Sequence, residues 1–246
     1  MLDILSDNWL LFLIGQYPNG PLGGLALTLI LSIAGLLLSF PLSVLLALCR
    51  TGAITPLRWA SAVIVYAVRG MPIVMLVFWS YFLVPALIGH SVTGVMTLIP
   101  TLVIYEAAYL SEVIRAGIQA LPQGQQEAAR SLGFGYWRTT SLVILPQAIS
   151  NMIPGIVTQF ISTIKDTSIG YVISVQEMTY SANSVNNNLL TQPFQVFAIL
   201  ALTYFCVCYV LTQLAARFER RTTGKRTETT TPPRRTLFAK RPLRRV

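Results

Sequence analysis

Ionisable side chains interrupt two long apolar segments of this sequence. Glu106 lies in the segment 95–114, and Lys165 and Asp166 lie in the segment 149–173. An ionisable group inside a bilayer costs about 3 kcal/mol or more, so such residues are candidates for contact with a polar solute. Lys165 could bind a carboxylate, and Glu106 could bind an ammonium group. The alternatives are structural: Lys165 pairs with Asp166 or a neighbouring helix, and Glu106 bonds across a subunit interface.

The segment 149–173 also carries a polar stripe. Its members recur at i, i+4, i+7 and i+11, which places them on one face of an α-helix: Gln159, Thr163, Asp166 and Gly170. This face should contact protein or water, and Pro154-Gly155 could bend the helix and open a cavity beside it. We therefore predict a substrate path lined by Gln159, Thr163, Lys165, Asp166 and Glu106.

Patterns for catalysis and metal binding are missing from the sequence. No glycine-rich loop precedes a Lys-Ser or Lys-Thr pair, and no His-Glu-x-x-His pattern occurs. His90 is the only histidine, and the three cysteines suggest neither a disulfide framework nor a metal cluster. We expect no enzymatic activity, no metal site and no cofactor bound by this chain.

The composition points to a membrane. The 246 residues are 54% hydrophobic and 11% charged, whereas soluble domains are about 25% charged. A spanning helix needs about 20 mostly apolar residues. The fold class that we predict is all-α transmembrane, with residues 1–21 as an extracytoplasmic, interfacial N-terminus and about five spanning helices within 22–217, at 22–48, 73–88, 95–114, 149–173 and 194–216.

The second of these spans follows a predicted break in the helix. Pro72 disfavours a helical conformation at the residue before it, so Arg69-Gly70-Met71-Pro72 should separate a surface helix over 57–68 from the span 73–88. Arg69, close to this break, could contact the inner head groups or a carbonyl, or it is a plain basic anchor of the positive-inside kind.

Positive charge determines the predicted orientation. Of the 18 Lys and Arg residues, all except Lys165 fall on one face of the five-span arrangement. The positive-inside rule makes this face cytoplasmic, with the N-terminus outside and the C-terminus inside. The basic tail 218–246 lacks apolar periodicity and is predicted to be disordered. It either attracts anionic lipid head groups or is a solvated extension.

The predicted cytoplasmic loop 119–146 contains its own helical pattern. Leu121-Pro122-Gln123-Gly124 should end the preceding helix, and 125–132 could form two helical turns that Gly133 caps. A further short helix is expected over 134–144, before Pro146 opens the next span. Small and aromatic side chains make the loop suitable for docking, namely Ala128, Ala129, Phe134, Tyr136 and Trp137. Composition alone slightly favours the alternative, a surface helix that only connects two spans.

The spacing in this loop resembles the EAA loop of ABC importer permeases. That pattern is EAA-x3-G-x9-I-x-L-P, and this chain has Glu127-Ala128-Ala129, Gly133 and Val143-Ile144-Leu145-Pro146, with Val143 in the isoleucine place. Other stretches resemble the polar amino-acid branch of these permeases and cover most of 22–217. They are Tyr66, 69–72, 112–118, 124–125, 145–148 and 165–168. The stretch 106–119 is most similar to glutamate/aspartate permeases.

The resemblance implies the membrane domain of a type I ABC importer in the bacterial inner membrane. It implies three protein partners: ATPase subunits that bind ATP and Mg, a second permease subunit (identical or not), and an extracytoplasmic amino-acid-binding protein. Membrane lipid is a further partner, and nucleic acid is not expected. The residues that would couple to the ATPase are Gln125, Glu127, Ala128, Ala129, Gly133, Leu145 and Pro146. A secondary transporter or channel without an ATPase is the rival interpretation, since buried charges would also suit it.

Overall fold

The computed structural model describes residues 2–52 and 54–223, and these residues are almost entirely helical. The predicted all-α class is therefore confirmed. The helices, in chain order, are α1 (Leu2–Ile14), α2 (Gly24–Thr51), α3 (Thr55–Arg69), α4 (Ile73–Ile88), α5 (Gly94–Gln119), α6 (Gln123–Ser131), α7 (Tyr136–Arg138), α8 (Leu145–Asp166), α9 (Met178–Leu189) and α10 (Pro193–Thr223). A π-helical segment, Thr139–Ile144, precedes α8, and a 3-10 segment, Thr167–Ile173, follows it.

Within residues 2–52 and 54–223, four stretches are long and apolar enough to cross a membrane. They are α2, α5, the continuous helical stretch Tyr136–Ile173, and Pro193–Arg217 of α10. The pair α3 and α4 counts as a fifth if the two helices together make one broken span. This number agrees with the prediction of about five spanning helices.

α5 is the central helix of the bundle. It packs against α2, α3, α4 and α8. Half of the residues in its most apolar stretch are buried, which is the largest share among the candidate spans. Its apolar contacts belong to separate clusters along its length, around Leu98 and Leu102, around Ala108, and around Leu110 and Ile114. Groups on α5 can therefore influence several helices at once.

α3 and α4 meet at an angle of 99°. The break lies at Gly70-Met71-Pro72, as predicted, because Pro72 holds an extended conformation with ψ of 137°. α4 then runs over 73–88, the same residues that the sequence predicts.

The fourth span begins earlier than Ile149, the residue from which it is predicted. Helical structure is continuous from Tyr136 to Ile173, passing through Pro146. Pro146 has no N–H to donate and its ring crowds the carbonyl four residues earlier. The turn before it widens accordingly, and the N–H of Leu145 bonds to the carbonyl of Thr140 five residues back.

Two further details of α8 differ from expectation. A cavity was expected beside Pro154-Gly155, but a Cβ on Gly155 would lie only 2.5 Å from Cγ1 of Val113. This glycine allows close packing of α8 on α5. The polar stripe also ends at Asp166, because the 3-10 turns that follow place Gly170 out of the α-helical register, against Leu98.

The bundle has two distinct ends. The starts of α2 and α5 lie near the residues before α9, where Gly24 donates to the carbonyl of Gln176 at 2.9 Å. The other end, which we call the loop end, contains the ends of α2 and α5 together with α6 and α7. α10 continues to Thr223, so 218–223 are helical, contrary to prediction; the remaining tail prediction, 224–246, lies outside the described residues.

Glu177 caps the first turn of α9 and is fully buried. Its carboxylate accepts hydrogen bonds from the backbone N–H of Thr179 at 2.9 Å and of Tyr180 at 3.0 Å, and from the Tyr204 hydroxyl at 3.1 Å. Burial raises the pKa of the Glu177 carboxyl from 4.5 to about 7, even though these hydrogen bonds favour the charged form. The cap therefore joins α9 to α10 through a group that titrates near neutral pH.

This raised pKa predicts a pH-dependent stability. Between pH 4.5 and about 7 the folded chain binds more protons at Glu177 than the unfolded chain does, so this contribution to stability falls as pH rises through that window. Its upper bound is about 3 kcal/mol, because one pKa unit corresponds to about 1.4 kcal/mol. In detergent, the melting temperature of the wild type minus that of Glu177→Gln should decrease from about pH 5 to about pH 7.5.

Asn187→Ser is the control for this measurement, because Asn187 is exposed in the same helix and carries no ionisable group. Its difference from the wild type should not change with pH. A difference between Glu177→Gln and the wild type that is constant across the same pH range would contradict the prediction.

Candidate functional site

The predicted docking loop contains a short helix at the loop end of the bundle. α6 follows Pro122 and ends before Gly133, whose φ of +82° is the left-handed conformation predicted for the cap. The N–H of Gly133 bonds to the carbonyl of Arg130 at 2.9 Å, and the N–H of Phe134 bonds to that of Ala129 at 3.2 Å. These bonds complete the helix end, and a side chain at position 133 would strain the cap.

The two alanines of α6 face different surroundings. Glu127 and Ala128 are exposed, whereas Ala129 is only 4% exposed. α6 packs against the π-helical segment, and the small side chain of Ala129 allows this close contact within the subunit. Ala128 is therefore the small residue of the pair that the backbone of a partner can approach.

Three large apolar side chains are exposed in the described loop 119–146. Leu132 is 77% exposed, Trp137 is 67% exposed and Leu142 is 64% exposed. Trp137 was predicted from the sequence, whereas Leu132, which follows α6 directly, was not. Its position beside the capping Gly133 could have indicated that it is exposed. Tyr136, predicted as a third anchor, instead contacts α2, with its hydroxyl 3.4 Å from Oγ1 of Thr51.

The remaining loop candidates link α6 to α8. Nε2 of Gln147 donates to Oε1 of Gln125 at 3.4 Å. Leu145 is half-buried and Pro146 is exposed at the start of α8. The structure therefore places the seven predicted coupling residues on α6, its cap and the first turn of α8.

Among the polar residues of the spans, Glu106 and Gln159 are brought together. Nε2 of Gln159 donates to Oε2 of Glu106 at 2.7 Å. Glu106 is fully buried at the middle of α5, and within the described part of the chain its Oε1 has no hydrogen-bond partner. Thr163 is also fully buried, one turn further along α8. This contact joins α5 to α8 across the centre of the bundle.

Lys165 lies apart from this contact. Its side chain is exposed, while Asp166 is half-buried. Among residues 2–52 and 54–223, neither group takes part in an ion pair. The structural alternative, in which Lys165 pairs with Asp166 or a neighbouring helix, stays a prediction, although Lys165 and Asp166 form no ion pair with each other within these residues.

A cluster of charges lies at the loop end. Glu112 forms an ion pair with Arg115 at 2.7 Å. Arg50 at the end of α2 also pairs with Glu112, and Arg69 at the end of α3 lies 3.7 Å from it. Arg69 stacks over the Tyr109 ring as well, 5.1 Å from its centre. Arg69 therefore has contacts within the bundle in addition to any role as a surface anchor.

A bundle of spanning helices with a short, capped helix projecting at one end is the architecture of a transporter's membrane subunit. Residues 39–224 match the family described as binding-protein-dependent transport system inner membrane component. The chain belongs to this family.

Similar proteins agree with this assignment. The chain is 36% identical over 216 residues to the probable glutamine ABC transporter permease GlnP of Bacillus subtilis, covering 85% of this chain and 99% of that protein. It is 33% identical over 208 residues to the glutamate/aspartate import permease GltK of Escherichia coli, covering 82% and 92%.

A solved structure described as an amino acid ABC transporter with histidines is also similar. It is 31% identical with a TM-score of 0.74, and the match covers 80% of this chain and 92% of that one. The present chain is thus a multi-pass permease subunit of an amino-acid ABC importer in the bacterial inner membrane. In such importers a separate ATPase subunit hydrolyses ATP, as the sequence analysis expected.

The same substitution, alanine to glutamate, should cause two different defects at the two adjacent alanines of α6. Ala128→Glu adds a charge to an exposed position, so the permease should melt as the wild type does but lose its ATPase during co-purification. Ala129→Glu would bury an unpaired carboxylate, which costs several kcal/mol, and should lower the melting temperature of the permease itself. Normal retention of the ATPase by Ala128→Glu would show that α6 is a connector only.

Proposed function

We propose that this chain, together with a second permease subunit, forms the path for a polar amino acid and is driven by ATPase subunits docked at α6. The observation that carries the proposal is the exposed Lys165, which forms no ion pair among the described residues, on a helix long and apolar enough to span the membrane. The resemblance in the loop supports the ATPase as the partner, with ATP and Mg bound there. An extracytoplasmic amino-acid-binding protein would deliver the substrate.

Lys165 also supports a second subunit. An ammonium group facing lipid inside the bilayer costs about 3 kcal/mol, so this surface of α8 should face protein or water. A substrate path between two permease subunits would provide a protein surface and water next to Lys165. The second subunit is either another copy of this chain or a related one.

Lys165 and the nearby acids suit a zwitterionic substrate. Lys165 would bind the carboxylate of the amino acid, and Asp166, next to it and half-buried, offers a carboxylate for the ammonium group. Glu106 is a further candidate, since its Oε1 is buried and has no hydrogen-bond partner among the described residues, while its Oε2 accepts from Gln159. Gln159 and Thr163 would line the path only after α8 moves relative to α5.

The proposed orientation follows the charges. Arg50, Arg69 and Arg115 meet at the loop end, and the positive-inside rule would put this end in the cytoplasm. The N-terminus would then lie outside, and α6 would be accessible to the ATPase. ATP binding would draw the docked helices together and reopen the path to the other side, and hydrolysis would reset it.

We propose glutamate and aspartate as the substrates, with glutamine as the second candidate. The stretch 106–119 resembles glutamate/aspartate permeases, and GltK supports this assignment. Glutamine is favoured by the slightly higher identity to GlnP. A net negative substrate would also be drawn to the excess of arginines at the loop end.

The decisive experiment is uptake into liposomes that contain the permease, its ATPase and its binding protein. Glutamate, aspartate, glutamine, arginine and cystine should be compared, with ATP inside. We expect glutamate and aspartate to stimulate ATP hydrolysis and to accumulate; a preference for glutamine would select the second candidate. Uptake that persists without ATP or without the ATPase would instead support the secondary transporter or channel.

Lys165→Met should abolish uptake in the same liposomes, by at least about tenfold, because the carboxylate of the substrate loses its charge-assisted partner. Assembly with the ATPase should be unchanged, because Lys165 makes no ion pair within the described part of the subunit. Lys165→Arg keeps the charge and is the matched control, which should retain part of the uptake. Normal uptake by Lys165→Met would refute the assigned role.

A further inference from the structure

A basic cavity opens at the loop end of the bundle. Its volume is about 560 Å³, within the range of about 300 to 1,000 Å³ typical of ligand sites. Its walls come from the junction of α2 and α3, the end of α5, α6, and the helix that begins at Tyr136. The cavity therefore lies between α6 and the ends of the spanning helices.

The chemistry of its walls suits an anion. Arg50 and Arg58 line it, and no lining residue is acidic. The other polar groups are neutral, among them the side chains of Gln119, Gln123 and Gln126. Carboxamide N–H groups and guanidinium groups can donate hydrogen bonds to phosphate oxygens.

The positive charge around the cavity exceeds what the nearby acid can neutralise. Glu112 is shared by Arg50, Arg69 and Arg115. Arg115 lies behind the cavity wall, where it donates to Oε1 of the lining residue Gln119 at 2.6 Å. In the part of the chain that the structure describes, Arg58 forms no ion pair. A bound anion would balance part of this excess.

The surroundings of Arg58 favour a lipid over a free ion. Arg58 lies in the first turn of α3, where a basic residue opposes the helix dipole. Its neighbours Ile54, Leu57 and Trp59 are exposed apolar side chains. Such side chains suit acyl chains, and aromatic residues such as Trp are enriched where a membrane meets water. A cavity with charged walls and an apolar rim matches a phospholipid with its head group inside.

We propose that this cavity binds the phosphodiester head group of an anionic phospholipid, with Arg58 as its principal free cation. Basic pockets between spanning helices are known to bind such head groups. A head group in this position would contact both α6 and the helix ends above it. The lipid would thereby strengthen the contact between the docking helix and the bundle.

The test is lipid binding by the full-length permease, which does not depend on transport or on the ATPase. Purified wild type and Arg58→Gln are titrated with phosphatidylglycerol or phosphatidylcholine, and retained lipid is counted by native mass spectrometry. We expect the wild type to prefer phosphatidylglycerol and Arg58→Gln to bind it about fivefold more weakly. Binding of phosphatidylcholine should be equal in both.

Arg138→Gln is the matched control, since Arg138 is exposed at the same end but does not line the cavity. It should bind phosphatidylglycerol as the wild type does, and circular dichroism should show all three proteins folded. An equal loss in Arg138→Gln would show general surface attraction and overturn the proposal. Displacement of the lipid by millimolar inorganic phosphate would also overturn it, because the site would then accept a free anion.

Discussion

The carboxylate of Glu112 is the point at which three helices are held together. It lies on α5 and gathers arginines from α2, α3 and α5 itself. Without this negative charge, three guanidinium groups would repel one another in a partly buried place, where charges interact more strongly than in water. Losing one partner of a buried ion pair costs about 3 to 5 kcal/mol. The bend of 99° between α3 and α4 begins at Arg69, so the same cluster anchors the start of α4.

The central position of α5 also connects the loop end to the contact between α5 and α8. Glu106 lies six residues before Glu112, about 9 Å along the helix, and its bond to Gln159 holds α8 at mid-membrane. α8 continues without interruption from the π-helical segment, which packs on α6. A displacement of α6 would therefore reach the contact between Glu106 and Gln159 through one continuous helix. α5, fixed by Glu112, is the frame against which such a movement occurs.

Local chemistry explains which features the sequence could predict. Pro72 and Gly133 act on their immediate neighbours, so the start of α4 and the left-handed cap followed from residue type alone. Contacts between distant residues could not be read in this way: Glu106 and Gln159 are separated by 53 positions, and nothing in the α5 pattern indicates its partner. The burial of Ala129 was missed for the same reason, because it depends on the π-helical segment that Pro146 induces further along the chain.

The distribution of arginines links topology to binding. Residues that orient the chain by the positive-inside rule need only lie on one side of the bilayer, and Arg138 meets that requirement without an ion pair among the described residues. Arg50, Arg69 and Arg115 instead converge on one carboxylate, and Arg58 is added to the same region by the turn from α2 to α3. Convergence leaves more positive charge than Glu112 can neutralise, and helix packing leaves a cavity beside it. Arginines that determine the orientation can therefore also form a binding site, where the fold brings together more of them than the nearby acids can neutralise.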